Sequence, residues 1–189
     1  LGSFPVLTDK MYERLPAKRR WAYRVARHPL TMLGAYFSLF LLGMCIVPLL
    51  KSPRRNLDAF AALGFHFSVL GAVGFYRGMD VALLGIWLPH ALACAAGAYL
   101  FYAQHNFPRA SLRNRHEWQY ADAAVHASSF MLFARPWRWF FANIGHHHVH
   151  HLNPSVPFYR LPEAFEAIKE LQREPDTCLR PSDVLACLK

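Results

Sequence analysis

The chain has 189 residues, of which 54% are hydrophobic, 15% aromatic and only 17% charged. This charged fraction is below the roughly 25% of average soluble domains, which excludes a disordered chain and a highly charged fibrous one. A net charge of +9 suits either a membrane or a nucleic acid as partner. The four cysteines are widely spaced with no Cys-x-x-Cys pair, so nothing in the sequence requires an oxidising compartment.

The first half of the chain, to residue 103, alternates basic and apolar stretches. Residues 9–28 carry seven basic side chains against two acidic ones, and the stretch 30–50 that follows has no charge. Two more apolar stretches occupy 59–76 and 81–103. A helix of about 20 apolar residues crosses a bilayer, so we predict a membrane-embedded region over 30–103. The alternative is a soluble bundle of three buried helices, although such helices usually keep a polar stripe.

The segment 104–141 mixes arginines with aromatic residues, most densely in the run Arg-Pro-Trp-Arg-Trp-Phe-Phe at 135–141. This composition is typical of the lipid headgroup layer. Alternating basic and aromatic residues also occur in proteins that bind single-stranded nucleic acids. Because apolar stretches adjoin the segment, the membrane interpretation is favoured and no nucleic-acid partner is predicted.

The C-terminal part predicts two short helices. Apolar residues spaced by three or four predict an amphipathic helix over 162–173: Leu161, Phe165, Ile168 and Leu171. Pro181 and Ser182 predict the start of a last short helix, with Ser182 as its cap.

Five of the 11 histidines lie within residues 146–151. His147, His150 and His151 stand at i, i+3 and i+4, which places them on one face of a helix as half of a metal site. His146 and His148 point elsewhere, and orient the ligands or meet water. Zinc is the default metal for histidine, but structural zinc sites usually include cysteine. Imidazole-rich ligation with open positions also suits iron that activates oxygen, and the alternative is a protonatable patch at the membrane surface.

The isolated histidines are weaker candidates. His105, at the end of the third apolar stretch, is either a further ligand or a polar residue that reaches the membrane surface. His126 is a less favoured ligand. His66 and His90 lie inside apolar stretches, where a histidine is a functional candidate or hydrogen-bonds a neighbouring helix. The remaining His28 and His116 lie among charges and are expected to be solvated.

Two stretches resemble the membrane fatty acid desaturases, above all the bacterial acyl-lipid, methyl-end type. They are Gln-His-Asn-Phe at 104–107 and 143–162, which contains Gly-His-His-His-Val-His-His-Leu-Asn-Pro. The N-terminal residues are similar to the segment after the second histidine box of that family. The resemblance implies an all-α integral membrane domain, of which residues 1–189 form the C-terminal part. Residues 1–29 would be a basic cytoplasmic segment, 30–103 membrane-embedded, and 104–189 a cytoplasmic histidine-box region and tail.

The resemblance also implies a chemistry. Desaturases of this kind use two non-haem iron ions and O2 to introduce a cis double bond into an acyl chain. The substrate would be a membrane lipid acyl chain, the electron donor a ferredoxin or cytochrome b5, and the location the bacterial inner membrane. Carried over to this sequence, the iron ligands are His105, His147, His150 and His151. The family's first two histidine boxes have no counterpart here, so we expect an incomplete chain that is inactive alone.

Two alternatives stay open. A fatty-acyl hydroxylase, ketolase or conjugase can use the same scaffold, and a non-catalytic membrane metal-binding protein is a different class of function.

Histidine boxes on one side of a membrane require an even number of crossings. We therefore expect 59–76 and 81–103 to form a hairpin, with 30–50 entering and returning or lying in the interface.

Overall fold

The computed structural model describes residues 7–107, 110, 119–173, 178, 179, 183 and 187. The described residues are mostly helical, in agreement with the predicted fold class. The α-helices are α1 Asp9–Glu13, α2 Ala17–Ala26, α3 Pro29–Leu33, α4 Val47–Lys51, α5 Leu57–Arg77, α6 Met79–Ala82, α7 Leu88–Ala103, α8 Tyr120–His126, α9 Arg135–Phe140, α10 His147–Leu152 and α11 Leu161–Ala167. Two π-helices cover Tyr36–Ile46 and Leu83–Trp87, and 3-10 turns cover Pro53–Arg55, Phe158–Arg160 and Leu171–Arg173.

The chain divides into two compact units, which we describe separately. The hydrophobic unit is Pro16–Leu100, and the histidine unit is Leu1–Leu15 together with Phe101–Lys189.

In the hydrophobic unit, α5 contacts α6 and the π-helix Leu83–Trp87, so the chain turns back where the sequence predicts the turn. The turn between α5 and α6 is Gly78, whose φ of 106° favours glycine. A Cβ there would also lie 2.6 Å from Oδ1 of Asp80. Two helices of the described residues, Leu57–Arg77 and Met79–Ala103, have the length and hydropathy to cross a membrane. The apolar helix Tyr36–Lys51 is shorter, so the stretch 30–50 is helical without forming one long regular helix.

Both π-helices end two residues before a proline, and this explains their wider backbone. Pro48 follows the first and Pro89 the second. A proline ring collides with the carbonyl four residues earlier in a regular α-helix. The residues just before these prolines, Val47 and Leu88, donate their N–H to the carbonyls of Leu42 and Leu83, five residues back. The extra residue in each turn lets the helix pass the proline without a break.

The histidine unit has its own small apolar core, built on Val149, Leu161 and Leu171. It also contains β1 (Phe130–Met131) and β2 (Cys178–Leu179), two parallel strands of two residues each. These strands are a small departure from the predicted all-α class. The predicted helix over 162–173 was too long, because α11 ends at Ala167 and Ile168 adopts an extended backbone. The predicted helix start at 181–182 lies outside the described residues.

Candidate metal centre

The histidine helix α10 follows a tightly packed turn. Ala142 and Asn143 have φ of 50° and 52°, which reverses the chain after α9. Gly145 then passes so close to β1 that a Cβ would lie 2.5 Å from the carbonyl oxygen of Met131. The helix ends at Leu152, and the next residue, Asn153, is extended as expected of the residue before a proline. The predicted histidine helix is therefore confirmed.

Three histidines bring their Nε2 atoms together (the histidine triad: His105, His147 and His151). The Nε2 atom of His147 lies 3.0 Å from that of His105 and 3.0 Å from that of His151. The Nε2 atoms of His151 and His105 are 3.3 Å apart. Three ligands at about 2.1 Å from one ion, roughly at right angles, would be about 3.0 Å apart. The triad therefore fits one metal ion, bound on one side.

Burial keeps the triad in the form that binds metal. Burial and the neighbouring imidazoles lower the pKa of His147 to about 2. Burial also lowers the pKa of His151 to about 4, and it lowers the pKa of His105. The three imidazoles are therefore neutral at pH 7, and neutral imidazole has the lone pair that ligates a cation. Three lone pairs at this spacing repel one another unless a proton or a metal lies between them.

The position of His105 is fixed from both sides. Its Nδ1 lies 3.2 Å from the carbonyl oxygen of Ala127. A carbonyl only accepts, so Nδ1 carries the proton and Nε2 is left as the ligand atom. The preceding residue, Gln104, is buried; its side-chain amide donates to the carbonyl of Ile144 at 2.9 Å, and its backbone carbonyl accepts from the N–H of Ser129 at 2.9 Å. Gln104 thus ties the end of α7 to the turn before α10.

The positioning roles of Gln104 and Tyr120 were not predicted from the sequence. The phenol of Tyr120 donates to the carbonyl oxygen of His151, which links α8 to the end of α10. No spacing pattern marks either residue. The only sequence signal was that Gln104, an amide side chain, directly precedes the candidate ligand His105.

His150, the fourth predicted ligand, lies beside the triad. Its ring centroid is 5.9 Å from that of His147, with the two rings nearly parallel, and 6.0 Å from that of His151. Its nitrogen atoms are not part of the group that converges on one point. The structure therefore brings together three of the four predicted ligands and leaves His150 at their edge.

The other histidines of the cluster are buried, so they do not meet water. His146 and His148 are 5% and 1% exposed, and both rings pack against Phe130 and Phe165. The Nδ1 of His148 has no hydrogen-bond partner among the described residues. Both rings therefore help to pack the start of α10 against Phe130 and Phe165.

The remaining histidines have separate environments. Nδ1 of His126 lies 3.1 Å from the carboxylate of Asp122, one turn earlier on α8, so this ring has another partner. His66 lies 2.7 Å from the phenol oxygen of Tyr36, the hydrogen bond to a neighbouring helix that was one of its two alternatives. His28 is exposed, as expected, and accepts from the N–H of Leu30. His116 lies outside the described residues.

Comparison with known proteins agrees with this site. The family model "Fatty acid desaturase" matches residues 5–180. A fatty acid desaturase of Bacillus subtilis (strain 168) is 31% identical over 189 residues, which is 96% of this chain but 52% of the relative. The chain thus spans about half the length of that relative. No solved structure matches. The extent of the family match, with the histidine triad inside it, shows that the chain belongs to the fatty acid desaturase family.

Proposed function

We propose that the chain carries part of the iron centre of a membrane acyl-lipid desaturase. The observation that supports this most directly is the histidine triad, three neutral imidazoles with Nε2 atoms 3.0–3.3 Å apart. The group includes no cysteine, unlike most structural zinc sites. Histidine ligation that leaves positions open suits iron in oxygen-dependent chemistry.

The division of labour follows from the strength of the bond to be broken. A methylene C–H is unpolarised, so side-chain acids and bases cannot remove its hydrogen; bound iron with O2 supplies the oxidising power. The chain's own residues hold the metal and fix its surroundings. Ala127 sets the tautomer of His105, and burial keeps His147 unprotonated.

We further propose His150 as a ligand of the second iron ion. It lies on the helix face adjoining the triad, with its ring stacked 5.9 Å from that of His147. It is only partly buried, so its imidazole is accessible to an ion outside the triad. The other ligands of that second ion would come from beyond the described residues.

The hydrophobic unit supports a membrane location. In the most apolar window of Leu57–Arg77, and of Met79–Ala103, only 11% of the residues are buried. A soluble bundle would bury such helices instead. In the histidine unit, Trp137 and Trp139 on α9 are 54% and 78% exposed beside Arg138, as in an interfacial aromatic belt. We propose an integral protein of the bacterial inner membrane, with the histidine unit in the cytoplasm and α5 to α7 as a hairpin.

The desaturase family and its C–H oxidation indicate the proposed partners. The acyl chain of a membrane lipid is the substrate, and a ferredoxin or cytochrome b5 supplies electrons. Both of these electron donors are proposed from the family.

Expression of the complete natural reading frame that contains this chain tests the activity. In a host that makes only saturated fatty acids, gas chromatography with mass spectrometry should show a cis-monounsaturated product. His147→Ala and His150→Ala should abolish it, while His126→Ala, in the same unit but paired with Asp122, should retain it. A hydroxylated fatty acid as the product would favour the hydroxylase alternative over the desaturase. An unchanged amount of unsaturated product in His147→Ala would contradict the iron site.

Cysteine labelling tests the topology. In a variant whose four native cysteines are serine, Ser52→Cys should react with an impermeant maleimide only after the membrane is opened. Arg77→Cys, at the tip of the hairpin, should react in intact cells. Reaction of Ser52→Cys from outside would contradict the proposed arrangement.

A further inference from the structure

Helix α2, near the start of the hydrophobic unit, packs poorly against the rest of the chain. All ten of its residues are described, and none of them is buried. Trp21 is 67% exposed, and Val25, one turn later, is 39% exposed. Residues four apart are neighbours on a helix, so these two side chains form an apolar row on its surface. A helix of this length is marginal in water without packing, so α2 needs a surface that covers this row.

The charges of α2 also oppose its own helix dipole. Lys18 and Arg19 lie in its first turn, where no acidic residue occurs, and Pro16 provides no side-chain cap. The N-terminus of a helix carries a partial positive charge, so basic side chains at this end are destabilising. Negative charge beside the helix would offset this repulsion.

The hydrophobic unit supplies little negative charge of its own. It contains nine basic residues and only two acidic ones, Asp58 and Asp80, which gives it a net charge of +7. No acidic residue occurs in the sequence between Glu13 and Asp58, a stretch that includes all of α2. A cluster of like charges favours a partner of opposite charge, so the partner of α2 should be anionic.

An apolar row with basic neighbours fits an anionic membrane surface better than an acidic protein. Lys18 and Arg24 lie three residues before and after Trp21, and hence next to it on the helix. Tryptophan is enriched in the headgroup layer, and long basic side chains keep their charged ends at that level. The same unit carries the largely unburied apolar helices Leu57–Arg77 and Met79–Ala103, so a lipid surface lies next to it in the proposed function.

We propose that α2 lies along the membrane surface and binds the anionic headgroups of phospholipids such as phosphatidylglycerol. This inference rests on the proposed membrane location and adds a lipid preference to it. Trp21 and Val25 enter the headgroup layer, and the basic side chains of α2 pair with lipid phosphates. The N-terminal basic segment is then part of the lipid-binding surface of the protein, and not only a solvated flank of the membrane segments.

A fluorescent label on α2 tests this lipid preference. Ala22, the exposed neighbour of Trp21, is replaced by cysteine in a chain whose four native cysteines are serine. The cysteine carries the fluorophore NBD, whose emission moves to shorter wavelength in lipid. The whole chain is reconstituted in nanodiscs of phosphatidylcholine, with or without phosphatidylglycerol. We expect the short-wavelength emission only with phosphatidylglycerol, and we expect about 1 M salt to reduce it, since the screening length is then about 3 Å.

Two charge variants serve as test and matched control. Lys18→Gln/Arg20→Gln removes two charges from α2. It should lower the ratio of lipid-bound to free label by about 30-fold, since each basic residue near an anionic surface contributes roughly fivefold. Arg54→Gln/Arg55→Gln removes two exposed charges from the 3-10 turn and should leave the ratio unchanged.

The outcomes separate this proposal from the membrane location on which it rests. Equal emission in the two kinds of nanodisc, or an equal loss in the two charge variants, would overturn the lipid preference alone. A shift that appears only when an acidic soluble protein is added would assign α2 to a protein partner and would also overturn it. Failure of the chain to enter nanodiscs of either kind would overturn the membrane location as well.

Discussion

The histidine triad and the pair of Tyr36 and His66 both bring polar ring atoms into contact, but their surroundings differ. In the triad, hydrogen bonds from the backbone and from a buried amide orient the groups around the ligands. Nδ1 of His105 faces the carbonyl of Ala127, and Gln104 and Tyr120 bind the backbone on either side of α10. Around Tyr36 and His66, aromatic rings supply the support: the ring centroid of Trp87 lies 5.8 Å from that of Tyr36, and the ring centroid of Phe40 lies 5.7 Å from that of His66.

This difference separates a preorganised site from an adaptable one. Hydrogen bonds fix which nitrogen of an imidazole carries the proton, and so fix the ligand atom in advance. Ring packing fixes the position of an imidazole but leaves its tautomer free. We therefore expect the triad to bind metal without rearrangement.

Removal of one triad ligand should have the largest effect. His151→Ala leaves two of the three converging nitrogens and should lower the affinity of the triad for iron(II) by well over the roughly 10- to 100-fold typical of outer partners. Iron binding is measured by titration of the whole chain. His126→Ala, whose ring already has Asp122 as partner, is the control. Equal affinity of His151→Ala and His126→Ala would remove the triad as the iron site.

The tight turn before α10 should be the most sensitive point of the backbone. Gly145→Ala places a methyl group 2.5 Å from a carbonyl oxygen and 3.1 Å from the ring of Phe133. We expect a destabilisation of about 1–3 kcal/mol from this overpacking. Gly97→Ala on α7, where a Cβ meets nothing within 4 Å, should be neutral or stabilising. Thermal unfolding of the two variants gives the difference, and equal melting temperatures would show that the turn relaxes freely.

Loss of the amide of Gln104 should weaken metal binding without removing a ligand. Gln104→Leu leaves the carbonyl of Ile144 buried without its donor, which costs about 1–3 kcal/mol of stability. If Gln104 positions the triad, iron affinity should also fall by about 10-fold, as for other residues that orient ligands. Gln172→Leu, an exposed amide in the same unit, is the control. A melting shift with unchanged affinity would make Gln104 a purely structural residue.

Periodicity predicted the parts of the fold and site that depend on one helix. The apolar lengths of 59–76 and 81–103 match α5 and the helix that continues through α7, since long apolar runs have few other stable states. The i, i+4 spacing of His147 and His151 is reproduced in α10, because neighbours on a helix face are fixed by the helix itself.

Features that depend on tertiary contacts were not predictable in the same way. From its own surroundings His105 had two interpretations, and only the family resemblance favoured it as a ligand. The i, i+3, i+4 rule placed His150 in the same set, but the direction of its side chain leaves it outside the triad. α11 ends at Ala167 with no glycine or proline to mark it, and strands of two residues have no detectable period.

The smallest effect concerns the pH dependence of the free energy of unfolding, to which the buried His148 should contribute. Burial and the nearby His146 lower the pKa of His148 to about 4, against about 6.5 when the chain is unfolded. Below pH 6.5 the unfolded chain therefore binds the proton first, so stability is full above pH 6.5 and falls as the pH drops toward 4. The slope from this one residue is at most about 1.4 kcal/mol per pH unit. Metal-free His148→Phe should lose stability less steeply between pH 6.5 and 4 than the metal-free parent chain in denaturant titrations. Equal slopes for the parent and His148→Phe would mean that water reaches His148 and that its pKa is not lowered by burial.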